Sequence, residues 1–152
     1  FLRRPDVSSG EKARPIIFLL DEFAQLNFDW DILSTAFSTL RSKRVSLFVA
    51  MQSIAQLESK YKENYRSIIN NCKYVSIMGA QDPKDRTYFQ QFIGTEKVLK
   101  ITSSQNGKVV SRTVSEAREY IYQPEDFGNL GEDVVICADG KHIQAQKTNC
   151  FE

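Results

Sequence analysis

Ile16-Ile17-Phe18-Leu19-Leu20-Asp21-Glu22-Phe23 decides how the chain reads. Five unbroken apolar residues fall far short of a membrane span and lack the alternation of a half-exposed strand. They are expected to form a strand buried on both faces, as inside a parallel sheet. Arg14-Pro15 marks where it starts, since proline has no N–H for a ladder and is tolerated at a strand's first position. The run stops at two adjacent carboxylates. Ligands of open α/β sheets bind at the C-terminal ends of the strands, so Asp21 and Glu22 are the first candidates for chemistry.

Working outward, Asn27-Phe28-Asp29 breaks the pattern and leads into a helix from about Trp30 to Ser42. Its apolar positions Ile32, Leu33, Ala36, Phe37 and Leu40 fall on one stripe at helical spacing. Asp29 is placed to cap the first turn, and Arg41, Lys43 and Arg44 crowd the last, both favourable to the helix dipole. Val45 to Met51 reads as a second, mostly buried strand ending at Gln52-Ser53, with a helix starting near Ile54 or Ala55. Strand, helix and strand within about 35 residues form a right-handed crossover, which makes the two strands parallel. Asp21, Glu22 and Gln52 are then delivered to one sheet edge. An apolar strand ending in Asp-Glu is also the Walker B pattern of nucleotide-hydrolysing motors, with the Asp on Mg²⁺ and the Glu on the attacking water. An acidic loop after any buried strand has the same composition; the convergence of a second strand favours the nucleotide reading.

Composition sets the outer limits. The 152 residues suit one domain or part of one, with 41% hydrophobic and 26% charged residues. A net charge of +1 provides no global field for nucleic acid or an anionic membrane, so DNA contact needs a local patch. No apolar run approaches the roughly 20 residues of a membrane helix, and no signal peptide is visible. The chain begins at Phe1, as expected of a piece of a longer protein. Cys72, Cys137 and Cys150 show no metal-ligand spacing and are expected to be reduced thiols. His142 is the only histidine, which excludes a His-rich metal site.

The remaining segments complete an α/β pattern. Residues 1–12 read as a polar loop. Glu58 to Arg66 is charged and aromatic, and a short helical turn follows through Ser67-Ile68-Ile69. Lys73 to Gly79 reads as a third strand. Asp82-Pro83 starts a helix whose buried face is expected to be Tyr88, Phe89, Phe92 and Ile93, with Gly94 as terminator. Val98 to Ser104 and Lys108 to Val114 flank Asn106-Gly107, a hairpin signal. Glu116 to Tyr122 fits a short helix or a strand, Gln123-Pro124 opens another helix, and a last strand pair turns at Asp139-Gly140.

With these residues placed, the sequence resembles the type IV secretion coupling proteins, the TraG/TraD-like conjugative DNA-transfer ATPases. The resembling stretches are Ile16 to Leu26, Leu40 to Leu57 with its Gln52-Ser-x-x-Gln-Leu57, and Tyr122 to Lys147 with its Pro-Glu-x-Phe element. The resemblance implies an α/β, RecA-like P-loop NTPase core: a mostly parallel sheet flanked by helices, plus a β-hairpin. Residues 1–152 would be the C-terminal part of that motor domain, with a nucleotide core over 13–94 and the hairpin and last strands over 95–152. Asp21 would hold Mg²⁺ through water, Glu22 would position the hydrolytic water, and Gln52 would sense the γ-phosphate of ATP. Arg41, with Arg44 close behind, would be an arginine finger for the neighbouring subunit. The resemblance further implies a hexameric ring on the cytoplasmic face of the cell membrane, anchored by upstream segments. Such rings pass relaxase-bound single-stranded DNA to a secretion channel.

The sequence departs from the family in one respect. Gly107-Lys108 and Gly140-Lys141 lack the following Ser or Thr and the glycine frame of GxxxxGK[ST]. The phosphate loop is expected upstream of Phe1, so this chain would hold half an ATP site, be inactive alone, and leave an apolar sheet edge to be covered. Lys60, Lys62 and Arg66, interleaved with Tyr61 and Tyr65, are the candidate DNA contact. Other readings are a related RecA/FtsK-like translocase or a non-catalytic interaction domain that keeps the motor fold. A Mg²⁺-dependent nuclease using Asp21 and Glu22 ranks last, because too few carboxylates cluster for a two-metal site.

Overall fold

A computed structural model describes residues 4–10, 14–106 and 109–148. The chain forms two compact units, Phe1–Cys72 and Lys73–Glu152.

The first unit is built on β1 (Ile16–Leu20), α1 (Trp30–Thr39), β2 (Val45–Val49), α2 (Ile54–Tyr61) and α3 (Tyr65–Asn70). β1 and β2 pair in parallel with Ile16 opposite Val45 and Leu20 opposite Val49, as the crossover argument requires. Asp29 caps α1 by accepting from Asp31 N–H at 2.8 Å. The helix stops sooner than expected, and Arg41–Lys43 tightens into a 3-10 turn closed by Arg44 at φ 52°. Ala36 and Leu40 of α1 pack with Val45, Ile16, Phe18 and Leu47 of the strands.

The strands are not buried on both faces. Ile17 is 67% exposed, Leu19 73% and Phe48 54%. Successive side chains of a strand point to opposite faces, so α1 covers Ile16 and Phe18 while the alternate set faces outward. An unbroken apolar run has the same appearance whether its second face is covered or open, and periodicity alone did not separate the two. A further packing centre lies past the strand ends. Phe23 and Leu57 are fully buried, and Phe23 stacks with Phe28 at 6.0 Å and Tyr61 at 6.2 Å between ring centroids.

The second unit contains β3 (Tyr74–Ile77), α4 (Pro83–Ile93), β4 (Thr95–Asn106), β5 (Val109–Tyr120), α5 (Pro124–Gly128), β6 (Asp133–Ala138) and β7 (Lys141–Gln146). β3, β6 and β7 form an antiparallel sheet in that order, and β4 pairs only with β5. The architecture is α/β with mixed pairing. Among the described residues the parallel ladder is confined to β1 and β2; β4–β5 and β6–β7 are antiparallel hairpins, and β3 pairs antiparallel with β6 across a long connection through α4, the β4–β5 ribbon and α5. Asp139 at φ 50° and Gly140 at φ 72° give the β6–β7 turn the two left-handed positions of a primed hairpin.

The β4–β5 ribbon runs twelve residues on each strand, longer than expected, and absorbs Glu116 to Tyr120 as strand. The tip at Gly107 and Lys108 lies outside the described residues, as does Cys150. Asp82 caps α4 from the position before Pro83, accepting from Lys84 N–H at 2.7 Å. The buried face of this helix differs from expectation. Phe89 and Ile93 pack on the Phe127 core, but Tyr88 and Phe92 stack at 6.1 Å, with Phe92 38% exposed, and Asp85 is buried instead. Burial pushes the thiols of Cys72 and Cys137 above their ordinary range, in keeping with inert side chains.

One-sided burial of β1 has a measurable consequence in the 152-residue chain. Phe23→Ala removes a fully buried ring and should lower unfolding stability by about 3–5 kcal/mol, whereas Leu19→Ser should cost less than about 0.5 kcal/mol. Urea unfolding midpoints check both; a large loss from Leu19→Ser would contradict an open outer face.

Candidate functional site

Asp21, Glu22 and Gln52 come together at the C-terminal ends of β1 and β2. The ladder continues past the regular strands to fix them there. Ala50 N–H donates to Leu20 C=O at 2.9 Å, and Phe23 N–H donates to Ala50 C=O at 2.9 Å. Between those two bonds the chain reverses at Glu22, which adopts φ 47°, ψ 47°. A left-handed glutamate is disfavoured by roughly 1–2 kcal/mol. Burial of the Phe23 side chain, worth about 1.5–3 kcal/mol, offsets that cost. The reversal sends Phe23 inward and leaves Glu22 half-buried beside exposed Gln52.

Gln52 Nε2 donates to Glu22 Oε1 at 2.6 Å, and Gln25 Nε2 reaches Glu22 Oε2 at 3.5 Å. Glu22 N–H donates to Asp21 Oδ1 at 3.0 Å. Gln25 is the member of this cluster that sequence reasoning missed. It sits three residues beyond Glu22 in a 3-10 turn, Phe23–Gln25, where side chains at i and i+3 eclipse. The signal was there, but the segment after Phe23 carried no helical periodicity to draw attention to it. Ser53 caps α2 by accepting from Ala55 N–H at 3.0 Å and so fixes where Gln52 leaves the strand.

Asp21 is an exposed hard oxygen donor beside Glu22. Among the described residues no three His, Cys, Asp or Glu side chains gather as a metal cage. That donor set fits Mg²⁺, which binds through one or two carboxylates together with water and substrate phosphates. It falls short of the three or four protein ligands, chiefly His and Cys, that hold zinc.

The other expected residues lie elsewhere in the first unit. Arg41 and Arg44 sit at the opposite end of the strand pair, where Arg44 C=O accepts from Ile16 N–H at 3.0 Å. At about 3.3 Å per residue, the five-residue strands put roughly 15 Å between that end and Glu22. The turn bearing Arg41 is tied down by Lys43, which donates to Arg4 C=O at 2.6 Å and pairs with Asp6 at 3.6 Å. The Ser42 hydroxyl and then Lys43 hold the Asp6 carboxyl below its ordinary range.

Lys60 is committed to the loop after Glu22: its ammonium donates to Ala24 C=O at 3.1 Å and to Leu26 C=O. Lys62 and Arg66 line an open depression together with Glu58, Glu63 and Tyr65. The guanidinium of Arg66 lies 5.8 Å from the Tyr65 ring. Two carboxylates among the cations weaken that field. No helix among the described residues is long and apolar enough to cross a membrane.

An acidic pair and an amide are thus presented by adjacent parallel strands of an α/β, RecA-like fold. The fold matches the bacterial conjugative coupling protein TrwBdeltaN70, unbound monoclinic form, with TM-score 0.80 and 18% identity over 97% of this chain and 34% of that one. It matches plasmid coupling protein TrwB in complex with ADP and Mg²⁺ with TM-score 0.75 and 16% identity, over 97% and 33% of the two chains. For TrwB with a non-hydrolysable ATP analogue, ADPNP, the TM-score is 0.74 at 17% identity, over 97% and 32%. The sequence profile described as "TraM recognition site of TraD and TraG" matches residues 15–131, and the chain belongs to this TraG/TraD family of conjugative coupling proteins. It spans about a third of the length of the solved structures it matches. No curated protein matches the sequence significantly.

The bracing role of Lys60 is testable. Lys60→Met keeps the aliphatic stem and removes two charged hydrogen bonds, so it should lower stability by about 1.5–3 kcal/mol. Hydrogen exchange should then quicken over residues 23–28 while β1 stays protected. Unchanged protection of that loop would show that the lysine does not hold it.

Proposed function

We propose that this chain supplies the Walker B and sensor half of the ATP site of a longer coupling protein, a motor that delivers relaxase-bound DNA to a secretion channel. The observation that carries this reading is the 2.6 Å contact between Glu22 and Gln52, made across two parallel strands at the ligand-binding end of the sheet. Family membership supports it, as do the nucleotide and Mg²⁺ named for the TrwB complexes. The phosphate loop belongs, on this reading, to a part of the protein outside these residues.

Asp21 would hold Mg²⁺ through water, and Mg²⁺ when bound neutralises charge on the β- and γ-phosphates. Glu22, fixed by its backbone reversal, accepts a hydrogen bond from the hydrolytic water and orients it for in-line attack. The Gln52 amide, which donates one N–H to the same carboxylate, has a second N–H to donate to a γ-phosphate oxygen. Arg41 stands too far from Glu22 to serve the same nucleotide. If it is a finger, it serves the site of a neighbouring subunit in a ring, and the tethering of its turn by Asp6 and Lys43 would hold it ready. Of the DNA candidates, Lys62 and Arg66 lie together along the surface depression, with Arg66 against the Tyr65 ring, while Lys60 contributes mainly by holding the loop.

A mixing experiment on the full-length protein tests both roles. Glu22→Gln should bind ATP and hydrolyse it at least about 100-fold more slowly, and Arg41→Ala should lose about 10³-fold. Mixed assemblies should recover turnover, because an intact Arg41 from one subunit then faces an intact Glu22 in the next. Wild-type turnover in Glu22→Gln would remove the ATPase reading. Two inactive variants that never complement would remove the finger in trans.

A further inference from the structure

We propose that Gln25 is a positioning residue for Glu22, forming with Gln52 a two-amide clamp that fixes the rotation of the glutamate carboxylate. The inference rests on the ATPase reading for its consequence but on geometry for its existence. Each carboxylate oxygen has its own amide donor, Gln52 on Oε1 at 2.6 Å and Gln25 on Oε2 at 3.5 Å. The donors come from different elements, one from the end of β2 and one from the 3-10 turn after Glu22. Neither can be replaced by the other's movement.

The turn is what brings Gln25 into place. Gln25 N–H donates to Glu22 C=O at 2.8 Å, closing the turn on the residue it serves. Phe23 anchors the turn in the core, and Lys60 holds the carbonyls of Ala24 and Leu26 on either side of Gln25. The result is an exposed side chain on a braced backbone. Such an arrangement stabilises the fold little, yet it sets where an amide points.

The physical consequence follows from the shape of a carboxylate. Its last torsion is broad and roughly two-fold, so a glutamate held only by its stem samples many orientations of its lone pairs. One donor on each oxygen narrows that range and leaves a remaining lone pair directed at a bound water. General-base catalysis depends on that geometry before it depends on anything else. The Gln25 contact is the longer and weaker of the two.

Two measurements decide the proposal. In the 152-residue chain, Glu22→Gln should shift the side-chain amide resonances of both Gln25 and Gln52 and leave that of Gln90 unmoved; a Gln25 resonance indifferent to Glu22 overturns the clamp. In the full-length protein, Gln25→Met should lower kcat about tenfold, the equivalent of one hydrogen bond to a charged group, with KM for ATP and the urea midpoint unchanged. Under single-turnover conditions that loss should vanish in the Glu22→Gln background, because the positioned group is gone. A loss of equal size in both backgrounds, a rise in KM alone, or wild-type kcat in Gln25→Met overturns it while leaving the ATPase reading intact. Wild-type turnover in Glu22→Gln overturns both.

Discussion

The parallel register of β1 and β2 is the constraint on which the site depends. With Leu20 level with Val49, the strands end together, and each side chain just beyond them has one place to go. Two further ladder bonds, through Ala50, carry that register past the strand ends and into the turn at Glu22. A slip of one residue would flip every side chain to the other face and carry Gln52 away from the carboxylate. The apolar packing of Ile16, Phe18, Val45 and Leu47 under α1 is therefore what sets the spacing of the polar group at the end.

The polar cluster holds one of the left-handed non-glycine residues among the described residues; Arg44, Lys62 and Asp139 are the others. Glu22 takes a left-handed backbone that suits glycine better, and it does so between a fully buried phenylalanine and an exposed aspartate. Strain of this size persists where surrounding structure over-determines it, and it concentrates at functional sites. Here the over-determination is visible in the Phe23 stacking, the Ala50 ladder and the Lys60 bridge to the following loop.

Much of this was legible in the residues. Asp29 and Asp82 are capping residues with one local role each, Asp139-Gly140 admits few turns, and the strand–helix–strand spacing leaves parallel pairing as the simple outcome. What escaped shares a physical cause. The outward exposure of Ile17 and Leu19, the exposure of Phe92 with Asp85 buried on the same helix, and the approach of Gln25 to Glu22 all depend on what packs against a segment, not on the segment itself. The Asn-Gly signal located the hairpin but not its reach, because Ser, Thr and Lys at its flanks extend a ribbon as readily as they end it.

One crystallographic measurement addresses the central claim directly. Crystals of the full-length protein grown with Mn²⁺ and a non-hydrolysable ATP analogue should show an anomalous peak about 4 Å from the Asp21 carboxylate, one bridging water away. The γ-phosphate should then lie within hydrogen-bonding reach of the Gln52 amide, with Glu22 facing the attacking side. A metal peak at the other end of the strand pair, near Arg44 and Ile16, or a nucleotide bound with no contact to Asp21 or Gln52, would contradict the account.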